Sequence, residues 1–377
     1  MDSSGGIIMN QYCKKCIMKN GDPGIEINSD GMCNQCSGIE ISGAFHNMRS
    51  IVKEAMDFKK YMQNDLRNKN KTDCMLMLSG GKDSINMLKI LKKEYRANVI
   101  AFSINHPFES KVAAENIKNV VKKLDVEHIL LTPKISDYFE IISSVYKTEN
   151  VHDTSCGTRA KYKVPCLVCT AYMQIKSYIY AMKYDIKYIL YCADQFQMAH
   201  IQKDIDLVVK DIYELIGERC YDIFGQDFER LLDSNIEKPK IIYPYSIVDR
   251  YDVDEIIAEL KQEGLYNSTP IQTHCSLYAL LSYYSYKNYN MYFYAPELSY
   301  DVRIGKIKRD NAIEFCECFK KVILDIAIKP VKTKEEIRYI KDTFALIYDL
   351  PEQIDLLTQH VLNMYSIASN MKINLES

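Results

Sequence analysis

A short apolar run, followed by a glycine turn and an amphipathic segment, constrains this chain more than any other feature. Cys74–Leu78 is continuously apolar, Ser79–Ser84 reads SGGKDS, and apolar residues recur at helical spacing from Ile85. A strand, a tight turn and a helix in this order let the backbone N–H groups of the turn converge on an anion at the positive end of the helix. The sequence therefore predicts an anion-binding loop in which Lys82 can reach a phosphate.

The segments that follow this turn predict a parallel sheet. Apolar runs predict strands at 98–104, 127–131, 186–192 and 241–245, with helices predicted at 113–124, 171–182 and 252–263. Such alternation is typical of an α/β fold with a doubly wound parallel sheet, whose ligands bind beyond the carboxyl ends of the strands. Helical spacing at 44–70 and in the last hundred residues predicts a helical linker and a mostly helical C-terminal region.

Two cysteine pairs lie near the N-terminus. Cys13 and Cys16 are separated from Cys33 and Cys36 by 16 residues that include several turn-forming glycines. Two CxxC pairs at this spacing complete a tetrahedral four-thiolate site with no coordination position open. We therefore predict a structural zinc ribbon, with four unrelated buried thiols as the alternative.

These features predict four parts: a zinc ribbon at 1–40, a helical linker at 41–72, a sheet domain with the anion-binding loop at 73–275 and a mostly helical region at 276–377. The 377 residues are 47% hydrophobic with a net charge of −2, which excludes a disordered chain and gives no overall attraction to nucleic acid. No apolar run is long enough to span a membrane, and the first residues do not resemble a signal peptide. We therefore expect a cytoplasmic protein.

The hexapeptide Ser79–Ser84 after an apolar strand resembles the pyrophosphate-binding loop of the PP-loop ATP pyrophosphatases, also called the adenine nucleotide alpha hydrolase-like superfamily. The resemblance covers roughly 73–275 and implies a HUP-like fold that binds ATP and Mg²⁺ and cleaves ATP between its α and β phosphates. In that reaction a substrate oxygen attacks the α-phosphate, pyrophosphate leaves, and a nucleophile then displaces AMP. The resemblance implies Lys82 and Asp83 as catalytic residues, and it implies as nucleotide-binding residues Ser79, Gly80, Gly81, Lys82, Asp83, Ser84 and Asp194.

A second cysteine set lies within the predicted sheet domain. Cys166 and Cys169 follow Pro165, and Cys275 follows the strand predicted at 241–245 and its helix. Three thiolates can hold three irons of a [4Fe-4S] cluster and leave the fourth iron open. The positions resemble those in PP-loop tRNA thiolation enzymes with a three-cysteine cluster, which implies that the open iron binds sulfide for transfer. A redox pair, a second zinc half-site and, for Cys275, a buried core thiol remain alternatives.

Another resemblance competes with the first. Residues 12–18, 31–36 and 301–310 resemble the opening and the C-terminal region of the N-acetyl sugar amidotransferases, PP-loop enzymes that use ammonia to make acetamidino sugars. This resemblance implies a partner glutaminase, because no glutaminase domain fits in the chain. One branch of the thiolation enzymes carries a second cysteine ribbon at its C-terminus, whereas this chain has only Cys316 and Cys318 there.

The leading hypothesis is an ATP-dependent sulfurtransferase that adenylates a carbonyl oxygen and replaces it with sulfur, and the alternative is the amidotransferase. We expect a small-molecule or carrier-bound carbonyl substrate and a separate sulfur donor, with tRNA less favoured because the chain has no basic surplus. A nucleotide-binding adaptor without turnover is a third, non-enzymatic interpretation. We expect no membrane partner, and the sequence leaves the oligomeric state open, a homodimer included.

The remaining cysteines and a tyrosine-rich segment favour packing roles. Between Tyr278 and Tyr294 the chain carries eight aromatic residues, which either wall a substrate pocket or pack inside the protein. We predict packing, because tyrosine buries a large ring while its hydroxyl finds a polar partner. We also predict packing for cysteines without a partner at metal-site spacing, with Cys156 as a spare ligand or persulfide carrier: Cys74, Cys156, Cys192, Cys220, Cys316 and Cys318.

Overall fold

The computed structural model describes residues 12–373 and Leu375, apart from 38–42, 65–67, 69, 148–163, 194–203, 234, 248–251, 268–274, 331 and 350. The chain forms two compact units. The sheet unit consists of Gly43–Val145 and Leu167–Cys275, and the ribbon–helix unit consists of Met1–Ser42, Tyr146–Cys166 and Ser276–Ser377. Within the described residues, no helix combines the length and the hydropathy needed to cross a bilayer.

The sheet unit alternates strands and helices along the chain. Its five strands are β1 (Cys74–Met77), β2 (Val99–Ile104), β3 (Glu127–Leu131), β4 (Tyr188–Leu190) and β5 (Lys240–Ile242). The helices before β4 are α2 (Gly43–Met62), α3 (Lys82–Lys93), α4 (Lys111–Leu124), α5 (Ile135–Lys147) and α6 (Val164–Lys183). The later helices are α7 (Ile205–Ile216), α8 (Arg219–Phe224), α9 (Asp227–Leu232), a 3₁₀ turn (Pro244–Ile247) and α10 (Val253–Gln262).

All five strands are parallel and lie in the order β3-β2-β1-β4-β5. The chain moves outward from β1 to β3 and then returns to the other side of β1, so the direction of winding reverses next to β1. This reversal is the switch point at which open α/β sheets bind their ligands. The predicted α/β class with a doubly wound parallel sheet is confirmed, and the glycine loop that follows β1 lies at the switch point.

Burial explains why the central strands read as unbroken apolar runs. Cys74, Met75 and Leu76 of β1 are fully buried, as expected for strands covered on both faces. The amphipathic α2 adds Ala55, Phe58 and Met62 to the same core. The segment predicted as a linker helix therefore packs against the sheet unit, and it ends at Met62, ahead of the predicted end at residue 70.

The ribbon–helix unit joins residues from both ends of the chain. It begins with the turns around Cys13–Cys36 and the short helix α1 (Asn34–Ser37). Its C-terminal helices are α11 (Tyr278–Tyr289), α12 (Ala295–Arg303), α13 (Arg309–Lys321) with a π-helical extension (Val322–Ile326), α14 (Lys334–Ala345) and α15 (Pro351–Asn370). The C-terminal region is thus mostly helical, as predicted.

The tyrosine-rich segment forms the core of this unit. Tyr278, Tyr286 and Tyr292 are each no more than 5% exposed, and the Tyr278 and Tyr292 hydroxyls lie 2.8 Å apart. Tyr283 and Tyr286 donate to the backbone carbonyls of Leu375 and Cys316. Because each hydroxyl finds a partner inside the unit, the prediction of packing is confirmed for these residues.

Candidate nucleotide, metal and cysteine sites

The glycine loop is held by its own hydrogen bonds at the start of α3. The Ser79 N–H donates to Ser84 Oγ (3.3 Å), and the Gly81 N–H donates to Ser79 Oγ (3.4 Å). Ser84 in turn donates through its hydroxyl to the Gly81 carbonyl (3.1 Å). The two serines at the ends of the SGGKDS sequence therefore close the turn, and its middle lies at the N-terminus of a 12-residue helix, where an anion is favoured.

Gly80 sits where no other residue fits. Its φ is +72°, a left-handed conformation that glycine adopts without steric cost. A Cβ placed on Gly80 would lie 2.3 Å from the backbone oxygen of Ala113 in α4. The loop is therefore packed closely against α4.

Lys82 and Asp83 form the first turn of α3, and both side chains are about one quarter exposed. The Lys82 ammonium lies 2.9 Å from the Asp83 carboxylate. The Asp83 backbone carbonyl accepts a hydrogen bond from the Tyr245 hydroxyl (2.9 Å), and that hydroxyl accepts one from Asn86 (3.2 Å). These contacts fix the turn of helix that presents Lys82 and Asp83.

The carboxyl end of β4 lies close to Asp83. Cys192, two residues after β4, has its pKa raised well above the usual range by burial and then by the negative charge of Asp83. Cys192 and Asp83 thus follow two adjacent strands, β4 and β1, at the switch point. Asp194, the third predicted acidic or basic residue of the nucleotide site, lies outside the described residues.

The four cysteines of the ribbon come together in one compact group. Their sulfur atoms all lie within 4.8 Å of one another, and no other such group of histidine, cysteine or carboxylate ligands occurs among the described residues. Tetrahedral zinc with Zn–S bonds of about 2.3 Å requires sulfurs about 3.8 Å apart. The sulfurs of Cys16 and Cys33 are 3.6 Å apart, so the geometry fits a single tetrahedral cation.

Backbone N–H groups and hydrogen bonds between the four cysteines affect the ionisation of their thiols. The N–H groups of Lys15 and Cys33 donate to Cys13 Sγ, and that of Met18 donates to Cys16 Sγ. Hydrogen bonding from Cys33 lowers the pKa of Cys16 to about 5, whereas burial raises that of Cys36 to about 11. Four thiolates this close can be ionised together only beside a cation, which is the role that zinc would have here.

The ribbon is tied to the C-terminal helices of its own unit by Arg309. This side chain, at the start of α13, donates to the carbonyl of Cys13 (2.7 and 3.1 Å) and to that of Cys16 (3.1 Å). The Tyr12 hydroxyl also donates to the Glu317 carboxylate on α13. Arg309 thus binds the turn that carries Cys13 and Cys16.

The second cysteine pair lies in the helix that was predicted to begin only at residue 171. α6 begins at Val164, so Cys166 and Cys169 occupy its first turns at positions i and i+3. Pro165 is compatible with this because the first helical turn needs no N–H donor from that residue. Residues three apart share one face of a helix, so both sulfurs project to the same side; Cys166 is exposed and Cys169 half-buried.

Cys169 and Cys275 converge on Tyr138 within the sheet unit. The Tyr138 hydroxyl lies 2.6 Å from Cys169 Sγ, and Tyr138 itself is fully buried in α5. Burial, then the charges of Cys169 and Cys275, raise the pKa of Tyr138 well above its usual value, so its hydroxyl keeps its proton. Cys275 is held by an antiparallel bridge to Glu109, in the loop after β2.

The loop after β2 adds two half-buried titratable groups near these cysteines. His106 stacks on the Tyr138 ring at 5.8 Å, and burial lowers the pKa of His106 to about 4. Burial also raises the pKa of Glu109 to about 7. At neutral pH the site therefore holds a neutral imidazole and a carboxyl group that exchanges its proton readily.

Sequence reasoning missed several residues that shape these sites. Asn116 is fully buried in α4, and its position among Ala113, Ile117 and Val120 on one helix face was the available signal, because an amide rarely lies there without partners. No sequence signal distinguishes Tyr138 from other aromatic residues, since its partner Cys169 lies 31 positions away. Arg309 lies in the segment 301–310 that the resemblance singled out, but its partner Cys13 is 296 positions away.

Comparison with known families identifies the glycine-loop region. Residues 73–199 match the model of the family described as queuosine biosynthesis protein QueC. That family is a member of the PP-loop ATP pyrophosphatase superfamily, so the match agrees with the resemblance of the Ser79–Ser84 loop. The match runs from β1 through the glycine loop to the end of β4, which are the elements that build the switch point.

One curated relative has no assigned activity. It is the uncharacterized protein MJ1599 of Methanocaldococcus jannaschii, which is 30% identical over 131 residues. The aligned segment is 34% of this chain and 45% of that protein. The chain thus spans less than half the length of this relative.

Three solved structures align with large parts of this chain at low sequence identity. The U34-tRNA thiolase NcsA of Methanococcus maripaludis, solved with its [4Fe-4S] cluster, aligns over 78% of this chain and 86% of its own, at 17% identity and a TM-score of 0.30. The NMN synthetase of Francisella tularensis aligns over 63% of this chain and 94% of its own, at 12% identity and a TM-score of 0.28. The NH₃-dependent NAD synthetase of Campylobacter jejuni aligns over 64% of this chain and 94% of its own, at 16% identity and a TM-score of 0.27. Similarity at this level does not extend to function.

Proposed function

We propose that this protein is an ATP-dependent adenylating enzyme that activates a carbonyl oxygen of its substrate. The observation that carries the proposal is the glycine loop at the switch point, held against α4 through Gly80. Its N–H groups and the N-terminus of α3 suit the β and γ phosphates of ATP, the part that leaves as pyrophosphate. In this proposal Lys82 neutralises charge on those phosphates and Asp83 holds Mg²⁺.

The chemistry of the proposed step is a substitution at the α-phosphorus. The substrate oxygen forms a bond to this phosphorus while the bond to the pyrophosphate oxygen breaks, so the substrate carries AMP on oxygen. Groups that bind the leaving pyrophosphate lower the barrier because negative charge develops there. A nucleophile then adds to the activated carbon, and the C–O bond breaks as AMP departs.

For the nucleophile we propose sulfur, supplied with the help of a [4Fe-4S] cluster. The support is the convergence of Cys169 and Cys275 on Tyr138, with Cys166 one helical turn before Cys169. When bound, such a cluster supplies an open iron position for an exogenous ligand. Cys166, Cys169 and Cys275 would hold it, and the Tyr138 hydroxyl would direct its hydrogen bond to the Cys169 sulfur.

A second candidate, the N-acetyl sugar amidotransferase, has one specific observation in its favour. The two segments that carry this resemblance, the ribbon and 301–310, contact each other through Arg309 and the carbonyls of Cys13 and Cys16. Ammonia would then replace sulfur as the nucleophile, from a partner glutaminase. Adenylation is common to both candidates, and so is the expected carbonyl substrate, small or carrier-bound.

Metal analysis separates the two candidates. Protein purified without oxygen is analysed for iron, zinc and acid-labile sulfide, together with its visible spectrum. We expect about four irons and four sulfides beside one zinc. The Cys275→Ala variant should lose the iron and keep the zinc, whereas Cys220→Ala, a buried cysteine of the same unit, should keep both. Zinc without iron after anaerobic reconstitution would instead favour the amidotransferase.

Nucleotide binding tests the adenylation step itself. Affinity for α,β-methylene-ATP is measured by calorimetry for the wild type, Lys82→Ala and Lys92→Ala. Both lysines lie on α3, at opposite ends. Loss of a charge-assisted contact to phosphate should weaken binding by at least about tenfold in Lys82→Ala, with Lys92→Ala unchanged and metal content equal in all three. Equal affinity for all three proteins would contradict the assignment of the loop.

A further inference from the structure

Three contacts meet on the first half of α4. The Asn116 side-chain amide donates to the carbonyl of Gly80 (3.1 Å) and to that of Asn267 (3.0 Å), and its oxygen accepts from the Asn267 N–H (2.9 Å). One buried side chain therefore joins the glycine loop to a backbone position 151 residues further along the chain. These three hydrogen bonds restrict the movement of the Gly80 and Asn267 backbone relative to α4.

Cys275 is also anchored beside the start of α4. Glu109, which forms the antiparallel bridge with Cys275, immediately precedes Ser110, the N-cap of α4. The Ser110 hydroxyl accepts from the N–H of Ala113, the residue whose carbonyl lies against Gly80. The bridge to Cys275, the helix cap and the contact with the glycine loop thus fall within five consecutive residues of the chain.

We propose that Asn116 is a positioning residue that couples the glycine loop to the backbone at Asn267 and, through the start of α4, to the placement of Cys275. The proposal rests on the proposed function, because it assigns Gly80 to nucleotide binding and Cys275 to the second half of the reaction. A nucleotide that shifts the Gly80 carbonyl also shifts Asn116, which is bonded to it. Asn116 in turn shifts the backbone of Asn267, to which it forms two hydrogen bonds. Nucleotide binding then fixes the position of Cys275 before the nucleophile attacks.

The physical reason lies in the cost of breaking a buried amide network. If Gly80 moved alone, the Asn116 N–H would lose its acceptor inside a fully buried site. An unsatisfied buried donor costs as much as, or more than, the hydrogen bond itself contributes. The loop, Asn116 and Asn267 are therefore expected to move together or not at all, which is the property that coupling between two sites requires.

Asn119 offers a matched control on the same helix. Its side-chain amide donates to the carbonyl of Gly264 (2.7 Å), so it also ties α4 to the chain near Asn267. Asn119 has no hydrogen bond to the glycine loop among those formed by the described residues. Asn119→Ala thus removes a similar anchor without touching the proposed coupling. Asn116→Asp preserves side-chain volume and serves if Asn116→Ala does not fold.

The experiment is hydrogen exchange at the amides of Asn267 and Cys275, resolved by fragmentation, with and without saturating α,β-methylene-ATP. In the wild type the nucleotide should slow exchange at both amides by at least about fivefold, the lower end of usual coupling between sites. In Asn116→Ala or Asn116→Asp the ratio should fall to within twofold, while Asn119→Ala keeps the wild-type ratio.

Two results would overturn the coupling. One is nucleotide binding by the wild type with no change at either amide, and the other is a full response in an Asn116 variant that has folded. If calorimetry shows no nucleotide binding by the wild type at all, the proposed function fails instead. Because exchange is read from the backbone, the outcome does not depend on iron or on turnover.

Discussion

Replacing Gly80 by alanine tests the geometry of the glycine loop most directly. Alanine at a φ of +72° costs about 1–2 kcal/mol. The new Cβ would also lie 2.3 Å from the Ala113 carbonyl oxygen, a backbone atom that cannot rotate away. Overpacking of this kind costs about 1–3 kcal/mol, so the sum is about 2–5 kcal/mol.

The neighbouring glycine provides the control. Gly81, the N-cap of α3, has a φ of −82° and a ψ of 159°, which alanine adopts freely. Gly81→Ala should therefore cost less than about 1 kcal/mol. The two substitutions add the same atom to adjacent residues, and Gly80 combines a left-handed φ with the close approach of Ala113.

Calorimetry gives both readouts. In Gly80→Ala the melting temperature of the sheet unit should fall by about 4–20 °C, at about 2–4 °C per kcal/mol for a unit of this size. Affinity for α,β-methylene-ATP should fall at least about tenfold, because the loop must shift away from α4. If Gly80→Ala melts and binds like Gly81→Ala, the loop does not press on α4 and the reasoning fails.

Other predictions concern the ribbon–helix unit. Arg309→Ala should speed zinc release to a coloured chelator by roughly tenfold, since charged hydrogen bonds to the ribbon carbonyls are lost; Lys308→Ala, its exposed neighbour, should not. Cys33→Ser should leave the purified protein with little zinc, as measured by mass spectrometry of the metal. His360 is buried, and burial lowers its pKa to about 4, so the unfolded chain binds the extra proton between pH 6.5 and 4. Wild-type stability in urea should therefore fall across that range, and His360→Gln should flatten the loss; an unchanged slope would contradict it.

The candidate sites divide by how far apart in the chain their parts lie. Two parts of these sites are local patterns: the loop Ser79–Ser84, and the cysteine pairs Cys13/Cys16 and Cys33/Cys36. Their spacing along the chain accounts for the hydrogen bonds within the loop and for the close sulfurs of the ribbon. The alternation of strands and helices likewise predicts the sheet, because apolar strands flanked by amphipathic helices have few other ways to bury their surface.

Local signals were weaker at element ends and for the second cysteine pair. The start of α6 before Cys166 was not predicted, because Pro165 suggests a break unless it falls in the first helical turn. The tyrosine-rich segment was ambiguous for a similar reason. A tyrosine row looks the same in sequence whether its hydroxyls meet a substrate or, as here, the carbonyls of Leu375 and Cys316.

By itself the sequence determined the glycine turn before a helix, the four-cysteine ribbon and the α/β class of the sheet unit. Only the tertiary structure decided what supports them: Asn116 joins Gly80 to Asn267, Tyr138 reaches Cys169, and Arg309 holds the ribbon. These partners are distant in the chain, up to 296 residues for Arg309 and Cys13. Such contacts depend on which surfaces the packed elements bring together, and periodicity and spacing along one segment carry no information about that.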